Sequence, residues 1–288
     1  MNGCFAPRRI DPGWLQRWTR SALELVRRSP VSFASVLSAA IALQALIPFS
    51  AILVWAQSVL LCALVFILAR QTDRHCPSEG DDGVLSETAC VLLKHGPDLL
   101  KLSAEVTMIF MIPIIVIGIA HLLAGGGPDY LLRAMGGSGM TAAATAHTPS
   151  GGWDRLPAVL RRMSGNAGPD AMLAAMPEAQ IILYLTLSLG AGLRQHYLLA
   201  RQSCRINQPV ALFFMGILCV LVALDSLAMG AVATARGASV FCLAQGLATL
   251  VLCLWGYFWA CEMFEGRRGP EARTAKAWKA PTVPQPLP

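Results

Sequence analysis

Charge is what this chain has least of. Of its 288 residues only 14% are Asp, Glu, Lys or Arg, while 55% are hydrophobic, against roughly a quarter charged in an ordinary soluble domain. A surface facing acyl chains instead of water accounts for the deficit. Catalytic constellations are missing too: there is no HExxH, no Ser-His-Asp order and no paired catalytic carboxylates. The glycine clusters Gly125-Gly126-Gly127 and Gly136-Gly137 lack the Lys-Ser/Thr and strand context of a phosphate loop. A non-enzymatic protein without a cofactor is the expectation. A disulfide framework is also not expected, because the nine cysteines are an odd number and Cys62, Cys219, Cys242 and Cys253 fall inside apolar runs, where a thiol behaves as a small hydrophobe. The first thirty residues hold six arginines and no apolar stretch before Val31. That argues against a cleaved signal peptide, and against a twin-arginine signal at Arg8-Arg9.

What the chain has is long apolar runs. From Val31 no charged side chain occurs until Arg70, and one Ile47-Pro48 step interrupts the run. That suffices for two crossings of a roughly 30 Å hydrocarbon core at about 1.5 Å per residue. Further runs follow at 103–124, 209–230 and 238–261, with a more broken one at 178–200 that carries Arg194, Gln195 and His196 at its end. The pattern predicts an all-α, polytopic integral membrane bundle of about six spans. Lys and Arg divide eighteen to five between the two faces that six spans define. The positive-inside rule then places both termini in the cytoplasm of a bacterial inner membrane, a source the Ala-, Leu-, Gly- and Arg-rich composition suits. Nucleic acid is not the expected partner of the net charge of +6, since the basic residues flank spans, where anionic lipid holds them.

Three segments follow. Residues 1–30 put Trp14, Trp18 and Leu25 at helical spacing with Arg17, Arg20, Arg27 and Arg28 between them, the pattern of an amphipathic helix lying at the headgroups. Residues 31–264 form the transmembrane domain, with a flexible external loop near 126–177 that is rich in Gly, Thr and Ala. Residues 265–288 end in PTVPQPLP, a disordered Pro-rich cytoplasmic tail tending to polyproline II.

RRSPVSFASVLSAAIALQAL and RINQPVALFFMGILCVLVAL share a basic residue, a Pro-Val step and an apolar span, and the next spans share Ala56-Gln57 and Ala244-Gln245. Spans 1–2 and 5–6 then read as a parallel repeat of two hairpins, with chance likeness between apolar segments as the alternative. With Gly13-Trp14, Ser21, Leu23, Arg28-Ser29-Pro30, Ile47-Pro48, Ala200-Arg201-Gln202-Ser203, Asn207 and the stretch from Tyr257 to Phe264 in view, the chain resembles a family of uncharacterised six-helix bacterial inner-membrane proteins. The resemblance implies six helices in the inner membrane and no established activity. Here Cys261-Glu262 stands where that family commonly has a basic residue.

Polar residues inside the runs are the candidate site. Gln44, Gln57, His121, Asp225 and Gln245 all fall in the outer halves of their spans, a shared depth that permits one cluster. His121 with Asp225 reads either as a proton-coupled or cation site or as a pair that fixes helix packing. Together they keep a small transporter or permease open beside a non-enzymatic organiser of lipids or partners. Arg201 and Arg205, with Arg194 and His196, read as an anionic-lipid patch. His75-Cys76 with Cys90 and His95 have zinc-ligand residue types at poor spacing, so no metal is expected. Met108, Met111 and Pro113 read as packing and a kink. Protein partners and homo-oligomerisation stay open.

Overall fold

The computed structural model of the chain describes residues 7–46, 51–74, 81–123, 170–190, 193–231 and 235–266. The Ile47-Pro48 step, His75-Cys76, the external loop as far as residue 169 and the tail beyond Gly266 lie outside these residues. So do the side chains of Gln44, His121 and Asp225, whose backbones are helical. Every long element described is a helix: α1 Trp14–Arg28, α2 Pro30–Leu46, α3 Ala51–Arg74, α4 Asp81–Leu123, α5 Pro177–Leu189, α6 Leu193–Ile206, α7 Gln208–Ala231 and α8 Ala235–Ala260. One π-helical turn, Cys261–Glu265, continues α8. Among the described residues there is no strand. Two helical stretches, Ala56–Arg74 and Leu243–Glu265, are long and apolar enough to cross a membrane, and α6 with α7 makes a third if that bent pair counts as one span.

Proline marks three of the starts. Pro30 opens α2, Pro177 opens α5 and Pro209 is the second residue of α7, sites where the missing N–H would have had no helical partner anyway. The centre of the bundle is the seam between α3 and α8. Phe66 meets Tyr257 edge-on with ring centroids 6.1 Å apart, and Tyr257 Oη donates to Asp73 Oδ2 at 3.3 Å. Trp259, Phe66, Phe214 and Ile67 are the largest side chains fully buried there and beside it.

Residues 170–175 form a short helix ahead of α5. The external loop expected over 126–177 therefore ends before its last residues: Asp170, Ala171, Leu173, Ala174 and Ala175 are packed into the core. Ser58 Oγ donates to the Asp170 carboxylate. At the other end Arg70 Nη1 donates to the Leu187 carbonyl at 3.3 Å, a cation on the unsatisfied carbonyls of a helix C-terminus. The segment 170–189 thus runs beside α3 in the same direction.

The expected fourth span at 178–200 is not one helix. α5 stops at Gly190, whose φ of 81° and ψ of −169° belong to a region that is essentially glycine-only. Its N–H returns to the Thr186 carbonyl at 2.9 Å. α6 then folds back along α5: Thr186 Oγ1 lies 3.3 Å from His196 Nδ1, and Glu178 is within electrostatic reach of Cys204. The reason is amphipathicity. α6 buries His196, Ala200, Ser203 and the following Asn207, at spacings of four, three and four, and exposes Arg194, Tyr197, Leu198, Arg201 and Arg205. At Asn207 the chain bends by 101° into α7.

Candidate functional site

Long-range hydrogen bonds of the described residues cluster where the N-terminal segment meets the end of α8. Helix α1 buries Trp18, Ser21, Ala22 and Leu25, the face its helical spacing demands. Trp18 Nε1 donates to Glu262 Oε2 at 2.8 Å, and Arg17 Nη2 donates to Glu262 Oε1 at 2.6 Å. Arg17 also donates to the Pro12 and Asp11 carbonyls at 2.7 and 3.2 Å, closing the turn that precedes its own helix. Trp14 packs on Trp18, with ring centroids 4.7 Å apart, and edge-on against Phe213 of α7 at 5.1 Å.

Asn207 completes the junction from the α6–α7 elbow. Its Oδ1 accepts the Ile10 N–H at 2.8 Å, and its Nδ2 donates to the Arg8 carbonyl at 3.0 Å and to the Ser203 carbonyl at 3.3 Å. The Arg8 N–H in turn reaches the Met263 carbonyl at 3.2 Å, one of the acceptors that a helix end leaves without an internal donor. Tyr184 of α5 donates to Glu265, and its ring stacks on Phe264 at 6.0 Å. Residues 8–18, the elbow and the π-turn are therefore one polar junction.

Three side chains expected at lipid headgroups are turned inward here. Trp18 is 2% exposed, Arg17 is half-buried against Glu262 and Trp14 is half-buried against Trp18 and Phe213, so all three serve the junction. The acid at 262 is matched by Arg17. Arg20, Arg27 and Arg28 on α1, and Arg201 and Arg205 on α6, are exposed. Beside them lie the exposed apolar side chains Leu15 and Leu23 on α1, and Tyr197 and Leu198 on α6. Each amphipathic helix thus has one face on protein and a second that mixes apolar bodies with guanidinium groups, the composition of an interfacial surface.

Of the expected in-span cluster, Gln57 and Gln245 are described. They lie on α3 and α8, 3% and 4% exposed, and among the described residues the Gln57 amide and the Gln245 Oε1 have no hydrogen-bond partner. A third buried amide is Gln180 of α5, whose Nε2 donates to the Ala174 carbonyl at 2.5 Å. It packs so closely on α8 that a Cβ at Gly256 would lie 2.4 Å from its Oε1. Cys90 is exposed, and among the described residues no group of three metal-ligating side chains forms.

A cavity of about 1410 Å³ opens between α3, α4, α5, α6 and α7. Gln57 and Gln245 do not line it; Lys101, Glu105, Glu178 and Arg194 supply its charge. Asn207, Glu262 and the cavity are absent from the sequence-derived site. The signals that could have marked the first two are an Asn two residues before Pro209, and a lone acid at the end of an apolar run. The chain matches no protein-family model, no curated protein and no solved structure.

Proposed function

We propose that this is a non-enzymatic, polytopic inner-membrane protein that organises lipid at its cytoplasmic face. The observation that carries this reading is the pair of amphipathic helices α1 and α6. Each is seated on protein along one side and exposes arginines among apolar side chains along the other, and each leads through a Pro-marked elbow into an apolar helix. Anionic headgroups are the matching partner, at about 1 kcal/mol per basic residue near the surface.

Six crossings with both termini on one side suit the same contacts. The hydrogen bonds of Arg8, Arg17 and Trp18 to Met263 and Glu262 bring the N-terminal segment beside the end of the last apolar helix, an arrangement that suits an even number of crossings. In this reading the fourth crossing is 170–189, aligned with α3, and α6 doubles back along its inner half with its arginine face turned to the headgroups. The order amphipathic helix, elbow, hairpin then occurs twice, as α1–α2–α3 and as α6–α7–α8, and favours the parallel repeat.

The test is extraction of the full chain with its surrounding lipid in polymer discs, followed by lipid quantification. Enrichment of anionic lipid over the bulk membrane is the expected result, with loss of it when Arg20, Arg27, Arg28, Arg201 and Arg205 are changed to Gln. Equal lipid profiles for the two proteins would refute the reading. A transporter is the second reading, favoured by the buried Gln57 amide and Gln245 Oε1, which have no hydrogen-bond partner among the described residues; cellular export or uptake that changes in Gln57→Leu and not in the arginine variants would support it.

A further inference from the structure

The cavity is larger than the roughly 300–1,000 Å³ of a pocket for a drug-sized ligand, and its lining is of two kinds. Leu102, Val106, Ile182, Leu183, Met215 and Leu218 make it apolar over most of its length. Charge enters through four side chains. Lys101 and Arg194 share one end: a Cβ on Gly190, at the base of α6, would lie 3.6 Å from Asp98 Oδ2, so the first turn of α6 adjoins the turn of α4 that carries Lys101. Glu105 is one turn further along α4, on the same face as Lys101. Glu178 lies toward the other end, in the first turn of α5. Among the described residues Lys101, Glu105 and Arg194 have no ion-pair partner.

We infer that this cavity holds one phospholipid with a zwitterionic headgroup, its acyl chain along the apolar wall, its phosphate at Lys101 and Arg194 and its amine at Glu105. Of the side chains lining this end two are cations and one is an acid, with Asp98 behind them, a set that complements a phosphate carrying a neighbouring ammonium, whereas a purely anionic head would be set against Glu105. The site rests on the lipid-interacting reading but uses none of the five exposed arginines, so either can fail without the other.

The full chain is reconstituted in vesicles containing a trace of phosphatidylethanolamine with a photoactivatable diazirine in its acyl chain; parallel samples carry the phosphatidylglycerol and diacylglycerol analogues. Adducts are mapped by peptide mass spectrometry after irradiation. The phosphatidylethanolamine probe is expected to label peptides containing Leu183 and Met215 about tenfold more than either analogue, the ratio that one charge-assisted hydrogen bond supplies. In the Lys101→Gln/Arg194→Gln protein its yield falls to the level of diacylglycerol; both side chains are exposed, so folding is retained. Met215→Trp with Leu218→Trp, which narrows the cavity, removes labelling by all three probes at an unchanged elution volume. Equal labelling by phosphatidylethanolamine and phosphatidylglycerol would overturn the headgroup assignment. Adducts spread evenly over outward residues such as Val220 and Val240, insensitive to the tryptophan pair, would overturn the site.

Discussion

Replacing Glu262 by alanine removes the one acceptor that both Trp18 and Arg17 use, and the cost divides by exposure. The Trp18 ring is 2% exposed, and an unsatisfied buried donor to a charged group is worth about 1.5–3 kcal/mol. The Arg17 side chain is 34% exposed, which discounts its pair to about 0–1 kcal/mol. Glu262→Ala should therefore destabilise the junction by about 2–4 kcal/mol. Glu262→Gln keeps an oxygen for Trp18 without the charge and should cost about half as much, as a neutral acceptor does. Thermal unfolding in mild detergent gives the magnitude, and a trypsin time course at Arg8, Arg9 and Arg17 reports release of α1. Glu262→Lys puts a cation against Arg17 and should cost most, with recovery when Arg17→Glu restores the opposite charge. A Glu262→Ala protein within about 0.5 kcal/mol of wild type, the range of an ordinary surface change, would refute the reasoning.

Gly256→Ala places a Cβ 2.4 Å from Gln180 Oε1 and should cost about 1–3 kcal/mol by overpacking. Combining it with Gln180→Ala should relieve most of that loss in a double-mutant melting cycle. Asn207→Ala removes the anchor of Arg8 and Ile10 and should speed amide exchange of residues 8–11, while Asn207→Asp, which keeps the acceptor for the Ile10 N–H, should protect Ile10 more than alanine does. Gly190→Ala, forced into a glycine-only conformation, should cost about 1–3 kcal/mol and loosen the α5–α6 turn in exchange measurements. For His121 and Asp225, a cycle of single and double alanine variants read by melting in detergent should give a coupling of at least about 0.5 kcal/mol if the two meet, and none if they are separate residues.

Composition and periodicity carried the helical class, because hydrophobic run length and the 3.6-residue spacing of Trp18, Ala22 and Leu25 are local properties. They also marked α1 as amphipathic, but grouped Arg17 with Arg20, Arg27 and Arg28, and only the fold separates Arg17 from the exposed arginines. The face on which Trp18 would lie was not legible: an indole serves equally at a headgroup or against a carboxylate, and its partner Glu262 is remote in sequence. The broken run at 178–200 misled for a similar reason. Hydropathy averages over the apolar α5 and the amphipathic α6, whereas one glycine at Gly190 decides where the helix stops. Asp170 looked like loop because a lone acid has no apolar periodicity, yet Ser58 receives it in the core. The cavity was beyond reach, since it exists only where five helices meet.

The central claim is that α1 and α6 lie on the same membrane face and hold its lipid. An environment-sensitive fluorophore is introduced through an encoded non-natural amino acid at residue 20 or at residue 201, in vesicles of zwitterionic lipid with or without anionic lipid. Depth is read by quenchers fixed at the headgroup and along the acyl chain, and sidedness by an impermeant aqueous quencher. Both positions should report headgroup depth in the same leaflet and move deeper when anionic lipid is present. Fluorophores at residues 20 and 201 quenched from opposite sides, or fully aqueous whatever the lipid, would contradict the account.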